Sequence, residues 1–343
     1  MTFRTSHGEF PETGHAINTL SNIDEHMTDL VTFGETMLRL SPPQGQRLEA
    51  VSAFDVAVGG AESNVAVLAS RFGHEVRWLS RVPDSPLGRR VTGELRRHGV
   101  DPAVDWAESS RLGTYYLEHG AEPRGTEVVY DREHSAFADV TVSELPIDEL
   151  ETAELFYTSG ITPGLSAAAA TATEQLLREA SAADVRTAFD LNYRRKLWDP
   201  ATARQTFESL LADVDLLFAP ERDAAAVLGL SGPPTEQATA LASEYDIETV
   251  VVTQGADGAL CHHGDEVFEQ SVYETETIDP IGTGDAFVGG FLARHLHGAD
   301  PADALAHAAA SAALKRTISG DQAILTPQEV QAVVDDGGTE ISR

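Results

Sequence analysis

Short apolar runs recur along the chain, and stretches with helical period lie between them. The runs are Leu30 to Leu40, Val76 to Leu79, Leu155 to Tyr157, Arg186 to Asp190, Asp215 to Phe218 and Thr249 to Thr253. The first reads as a strand together with its exit. The helical runs are Glu62–Phe72, Leu87–Arg97, Ala167–Glu179, Ala201–Leu211 and Gln237–Tyr245. In the first of these, Val65, Leu68, Ala69 and Phe72 form one apolar face. Short strands alternating with helices predict an α/β fold, a mostly parallel sheet covered by helices on both faces. Ligands of such sheets bind beyond the carboxyl ends of the strands. Two stretches break the alternation. Leu48 to Val58 and Arg111 to Tyr130 read as strands with no helix between them, the second with a hairpin-like connection at Gly120–Gly125. They predict a small β-sheet lid over residues 41–58 and 111–131, set on a main domain spanning 30–331.

The ends read differently. Residues 1–29 are polar, with no apolar stretch of signal-peptide type, and read as a disordered extension. Residues 332–343 read as an acidic tail. The 343 residues are 42% hydrophobic, enough for one large domain with an insertion or for two domains. Cys261 is the one cysteine, so a disulfide framework is excluded and a reducing cytoplasm is the expected compartment. No apolar run reaches membrane-spanning length.

The formal net charge is −31, which repels nucleic acid and anionic membranes. Its carboxylates are spread along the whole chain, and lysine occurs only at Lys196 and Lys315. Such dispersed acidity suits a salt-rich cytoplasm, where the Debye length falls to about 3 Å at 1 M and self-repulsion is screened. A halophilic source is therefore expected.

The segment Asp279-Pro-Ile-Gly-Thr-Gly-Asp-Ala-Phe-Val-Gly-Gly-Phe291 carries the clearest chemistry. Phe287, Val288, Phe291, Leu292 and His295 recur at helical spacing, so Gly282, Thr283 and Gly284 sit where a helix starts. Backbone N–H groups at a helix N-terminus are uncancelled and favour a phosphate. Asp285 beside them makes sense if it accepts a proton. Locally the segment reads equally as a glycine turn with Asp285 as a helix cap.

Other clusters fall at strand ends. Gly59-Gly60-Ala61-Glu62-Ser63-Asn64 precedes a helix. Adjacent glycines permit close approach of a ligand, and a tight turn with a capped helix is the plainer alternative. Asp190-Leu-Asn-Tyr-Arg-Arg-Lys-Leu-Trp198 puts an acid, an amide and cations after a strand. Arg194 there suits bidentate binding of a carboxylate or phosphate, unless the loop is simply solvated. Thr253, Gln254, Gly255, Ala256, Asp257 and Gly258 form a glycine turn after Val250-Val-Val252. A P-loop motif, a dinucleotide-binding glycine pattern after the first strand and a Gly-x-Ser-x-Gly elbow are all missing from the sequence. The histidines lack metal-ligand spacing, and His262-His263 reads as a hairpin surface.

Together these clusters resemble the ribokinase-like (PfkB) carbohydrate kinases over roughly Leu30 to Gln331. Gly59–Asn64 resembles their first signature. Asp279-Pro-Ile-Gly-Thr-Gly-Asp285 resembles the second, usually Asp-x-x-Gly-Ala-Gly-Asp, with Thr283 in place of alanine. Thr253–Gly258 resembles the nucleotide-phosphate loop. Several details are similar to 2-keto-3-deoxygluconate kinases: the Gly-Gly-Ala-Glu-x-Asn form of the first signature, Gly113-Thr-Tyr115, Ser159-Gly-Ile-Thr-Pro163, the loop from Asp190 to Trp198, and Gly320-Asp321.

The resemblance implies ATP-dependent phosphorylation of a primary hydroxyl of 2-keto-3-deoxygluconate, with its galactonate epimer as a second candidate acceptor. It implies Asp285 as the base and the amides of Gly282, Thr283, Gly284 and Asp285 as an anion hole. Gly60, Ala61, Glu62, Ser63 and Asn64 would hold the sugar, with Tyr115, Tyr116 and Leu117 covering it from the lid. Arg132 would reach the sugar or the phosphates, Arg194 would clamp the carboxylate, and Asp321 would contact the sugar. Asn192, Tyr193 and Arg194 would meet ATP, with Thr253 to Gly258 on its phosphate and ribose side. Mg2+ would be held largely by water, and Pro220-Glu-Arg-Asp223 departs from the family's metal-organising Asn-x-x-Glu. The alternatives are a fructokinase or other neutral-sugar kinase, and a non-catalytic sugar-nucleotide sensor. Lid edges paired between subunits would make a homo-oligomer.

Overall fold

The computed structural model describes residues 28–120 and 123–336. Apart from Thr28 and Asp29, the extension expected over 1–29 lies outside the described residues. In chain order the strands are β1 (Leu30–Phe33), β2 (Met37–Ser41), β3 (Asp55–Gly59), β4 (Val76–Pro83), β5 (Asp101–Ala107), β6 (Thr114–Glu118), β7 (Glu127–Asp131), β8 (Leu155–Ser159), β9 (Arg186–Asp190), β10 (Leu216–Phe218), β11 (Thr249–Thr253), β12 (Ala259–His263) and β13 (Glu266–Gln270). The helices are α1 (Ala61–Arg71), α2 (Pro86–Arg97), α3 (Ala167–Ala182), α4 (Pro200–Leu210), α5 (Glu221–Asp223, continued as a wider turn through Leu228), α6 (Pro234–Tyr245), α7 (Thr283–Leu296), α8 (Pro301–Lys315) and α9 (Pro327–Asp336).

The alternation builds a nine-stranded sheet in the order β13-β12-β11-β10-β9-β8-β1-β4-β5. Its strands from β11 to β5 run parallel, and β12 and β13 add an antiparallel hairpin at one edge. Successive residues face opposite sides, as strand pleating requires. Val31, Phe156, Phe189, Leu217 and Val250 pack with Leu176 of α3 and Phe207 of α4. Leu30, Tyr157, Ala188, Phe218 and Val251 pack with Val65 of α1 and Phe291 of α7. Burial on both faces explains why these strands read as unbroken apolar runs. No helix among the described residues is long and apolar enough to cross a membrane.

The lid is a second sheet, β3-β2-β6-β7, with β2 and β6 parallel and the outer pairs antiparallel. Leu30–Leu40 is therefore two strands in two sheets. The chain leaves the main sheet at Gly34, and the turn Gly34-Glu35-Thr36 lies between the layers. Residues 48–50 form a short 3-10 turn, so the strand read from Leu48 begins only at Asp55. β5 was not anticipated. It is an edge strand in which Asp101, Asp105 and Trp106 interrupt the buried Pro102, Ala103 and Ala107, so it lacks an apolar run. The acidic tail does not begin at 332, because α9 runs to Asp336 and buries Val330 and Val333 against Leu68, Phe72 and Ala323.

Candidate active site

A cleft of about 810 Å³ lies at the carboxyl ends of β1, β8, β9 and β11, with the lid along one side. Gly282 caps α7 with φ +79°, a left-handed turn that favours glycine. A Cβ there would stand 1.9 Å from the Asp321 carbonyl oxygen, so the close approach admits no side chain. The first bond of the turn runs from Ala286 N to Gly282 O at 2.9 Å. The amides of Gly284 and Asp285 precede it and face the cleft end of the helix. Thr283 Oγ1 donates to Pro280 O at 2.8 Å, so the hydroxyl that replaces alanine's hydrogen braces the turn.

Asn64 Nδ2, from the first turn of α1, donates to Asp285 Oδ2 at 2.6 Å. Asn64 Oδ1 is buried and has no protein donor, leaving an acceptor for a ligand hydroxyl. Burial raises the Asp285 pKa to about 6, against the opposing effects of the Asn64 hydrogen bond and the Arg194 charge. Asp285 is thus ionised at neutral pH yet more basic than an ordinary carboxylate.

Gly60, Ala61 and Glu62 line the cleft with Asn64. At Gly60 a Cβ would come within 2.3 Å of the Glu35 carbonyl oxygen, so β3 and the Gly34–Thr36 turn meet only across glycine. Glu62 does not extend toward a ligand. It is 1% exposed, and its Oε1 accepts bonds from Ser159 N, Ser159 Oγ and Thr162 Oγ1 at 3.1, 2.7 and 2.8 Å. Burial raises its pKa to about 7. Glu62 is the floor brace joining α1 to the end of β8, and the Ser159-Gly-Ile-Thr-Pro163 segment supplies its partners. Ser63 is fully buried, donates to Gly60 O at 3.0 Å and does not line the cleft.

On the lid, Tyr115 and Leu117 face inward. Tyr116 points to the other face, as strand alternation dictates, and packs edge-on against Phe54 at 5.9 Å. The Tyr115 hydroxyl donates to Asp321 Oδ2. Arg39, 4% exposed, bridges Asp321 Oδ1 at 2.7 Å and Asp279 Oδ2 at 3.0 Å. Asp321 lines the cleft, with its carboxylate tying lid to floor. Arg132 lines the lid side, with its guanidinium held by Glu35 and 5.8 Å from the Tyr130 ring centre. Lys196 Nζ donates to Val128 O at 2.8 Å, linking the Asp190–Trp198 loop to the lid. Trp198, at the end of that loop, packs edge-on against Phe207 at 5.3 Å.

On the opposite wall Asp190, Asn192 and Arg194 follow β9, and Pro220 to Asp223 follow β10. Asp190 Oδ1 accepts from Asn192 N at 3.1 Å, and Asp223 Oδ2 accepts from Tyr193 N at 3.1 Å. Burial, and next the charge of Asp223, raise the Asp190 pKa to about 8. Arg194 lines the cleft, and among the described residues no side-chain bond or ion pair holds its guanidinium. Tyr193 turns away, its hydroxyl bonded to Trp198 O at 3.0 Å. Thr253, Gln254 and Gly255 reach the cleft, whereas Ala256, Asp257 and Gly258 do not. The turn curls back, with Gln254 N bonded to Gly258 O at 2.8 Å.

Glu35 and Tyr130 are cleft residues that the motifs did not single out, and Asp190 and Asp223 stood in quoted motifs without an assigned contact. Glu35 follows the first strand and Asp223 the β10 strand, so the strand-end rule was the available signal. Arg39 had none, because its partners lie 240 and 282 residues away.

A lidded cleft at the ends of a parallel sheet, with a buried carboxylate beside the amino end of a helix, has the form of a phosphotransferase site for an alcohol. Residues 27–328 match the profile of the pfkB family carbohydrate kinases. The chain is 55% identical over 315 residues to the 2-dehydro-3-deoxygalactonokinase of Haloferax volcanii, covering 92% of this chain and 99% of the relative. It is 31% identical to the 2-dehydro-3-deoxygluconokinase of Thermoproteus tenax, covering 90% and 95%. The crystal structure of the Thermotoga maritima 2-dehydro-3-deoxygluconokinase superposes with a TM-score of 0.84 at 33% identity, covering 90% and 98%. The chain belongs to the pfkB family of carbohydrate kinases, phosphotransferases that use ATP and act on a sugar hydroxyl. The sensor alternative is set aside.

Proposed function

We propose that this protein phosphorylates a primary hydroxyl of a 2-keto-3-deoxy (2-dehydro-3-deoxy) sugar acid. The galactonate epimer is the foremost substrate and the gluconate epimer the second. The 55% identical relative supports the galactonate choice. The observation that carries the acid specificity is Arg194, a cleft guanidinium with no protein partner among the described residues. A neutral sugar gives such a cation nothing to bind, whereas a carboxylate takes it bidentately.

In the reaction Asn64 orients Asp285 and offers Oδ1 to the sugar. Asp285 takes the proton from the hydroxyl as its oxygen bonds to the γ-phosphorus and the bond to ADP breaks. The amides of Gly284 and Asp285 receive charge on the transferring group. Lid residues Tyr115 and Leu117 exclude water, which would otherwise compete as acceptor.

Mg2+, when bound, neutralises the triphosphate. Among the described residues no three His, Cys, Asp or Glu side chains converge on a metal. The acidic wall nonetheless fits the ion, because Asp190 and Asp223 repel each other and a divalent cation relieves that. They would meet the ion's water shell while the phosphates hold it.

Coupled assays with ATP on both sugar acids and on fructose test the reading. Arg194→Ala is expected to raise KM for the acid about 100-fold, in line with loss of a charge-assisted pair, and to leave KM for ATP near wild type. Equal losses on acid and neutral sugar would move Arg194 to the phosphoryl group and overturn the clamp.

A further inference from the structure

Lys315 is one of two lysines in the chain, and it is completely buried at the last turn of α8. Its Nζ lies 3.2 Å from Ile318 O and 3.4 Å from Asp279 O. No carboxylate among the described residues forms an ion pair with it, so no single partner absorbs its charge. A buried ammonium is costly and calls for a reason.

The surroundings supply one. α7 and α8 are joined by a short turn and run antiparallel, so the carboxyl end of α8 lies beside the amino end of α7. Ile278 N and Asp279 N bond to Arg316 O at 2.8 and 3.2 Å, fixing the two ends together. The α8 end presents carbonyls and partial negative charge, which is adverse beside an anion hole. Asp279 and Asp321 lie behind the same hole, and Asp285 lies in it. Arg39 is the cation bridging the first two. His119 lies 3.7 Å from Asp279 on the lid side, and the Tyr115 hydroxyl is bonded to Asp321. With these three carboxylates ionised, Arg39 and the cleft guanidinium of Arg194 still leave one negative charge uncompensated where a phosphoryl anion must bind.

We infer that Lys315 is a positioning residue for phosphoryl transfer, a fixed internal cation that makes the amino end of α7 able to hold an anion among carboxylates. It also clips the loop before α7 to the loop after α8, which carries Asp321. The inference rests on the kinase reading of the cleft, though not on which sugar is used. Lys315 stands among the influences that favour ionised Asp285, and burial lowers its own pKa against the pull of Asp279 and Asp321.

Two variants separate charge from support. Lys315→Met removes both the charge and the carbonyl contacts, whereas Lys315→Gln removes the charge and keeps a donor. Both are expected to lower kcat about tenfold or more, as loss of electrostatic support at an anion hole does, with KM for the sugar unchanged. Both should move the acid limb of the pH–rate profile to higher pH, because Asp285 loses a cation. Titration with ATP and ADP needs no sugar, and the preference for ATP over ADP should shrink about threefold or more in each variant. If Lys315→Gln restores wild-type kcat, acid limb and nucleotide preference, the residue is a structural pin and the inference is overturned. Should Lys315→Met fail to fold, Lys315→Gln carries the test. A wild type that used only a neutral sugar would sink the sugar-acid reading and leave the nucleotide titration still decisive for Lys315.

Discussion

The role proposed for Asp285 requires a carboxylate that is ionised at neutral pH yet basic enough to take a proton. Burial pushes its pKa up to about 6, and Asn64, Arg194 and Lys315 oppose the rise. The sign is fixed by the role. The ionised form accepts the proton, so kcat/KM should fall as pH drops through about 6 and stay level just above it. Asp285→Asn should lose about a thousandfold in kcat with substrate binding retained. A profile flat down to pH 5, or an active Asn variant, would remove Asp285 as the base. At this scale the sequence revealed what is local. Gly282, Thr283, Gly284 and Asp285 are contiguous, so the chemistry proposed for them can be read in one stretch. The bond between Tyr115 and Asp321 spans 206 positions, and the burial of Glu62 toward Ser159 depends on where β8 ends. Glu62 lines the cleft as the sequence reading expects, and its bracing of β8 through Oε1 is what that reading could not show.

The helix that carries the proposed anion hole is held by its far side. Phe291 of α7 packs edge-on against Phe218 of β10, with ring centres 5.4 Å apart, and is 1% exposed. Phe291→Ala should cost about 3–5 kcal/mol in denaturant unfolding. It should also lower kcat, because the amides of Gly284 and Asp285 move with the helix. Unchanged kcat alongside the stability loss would show that the helix end is positioned by its loops alone. Elements buried on both faces, such as β8 to β11, were legible because apolar runs leave little choice of state. β5 and the β12–β13 hairpin were less so. They lie at the sheet edges, where polar residues alternate with buried ones and the apolar signal thins. The break between β1 and β2 was hidden for the opposite reason. Leu30 to Leu40 is buried almost throughout because both sheets bury their part of it, and Gly34 marks the crossing.

For the whole molecule the dominant quantity is charge. A formal −31 spread over one chain destabilises the compact state by self-repulsion, and salt relieves it. Unfolding followed from dilute buffer to multimolar KCl should show stability rising steeply with salt. Full stability in dilute buffer would refute a salt-rich origin. Such a charge says nothing about the reaction, which is why composition excluded partners and the motifs had to supply the chemistry.

Trp198 closes the same loop that begins at Asp190, after Arg194 and after Lys196, whose ammonium holds the lid at Val128. Its ring rests on Phe207 in the core. Of the chain's two other tryptophans, Trp78 is sealed inside the molecule and Trp106 lies on the far edge strand β5. The indole of Trp198 therefore joins the end of the Arg194 loop to the core. Its fluorescence would report any movement of that loop on ligand binding, without an added label.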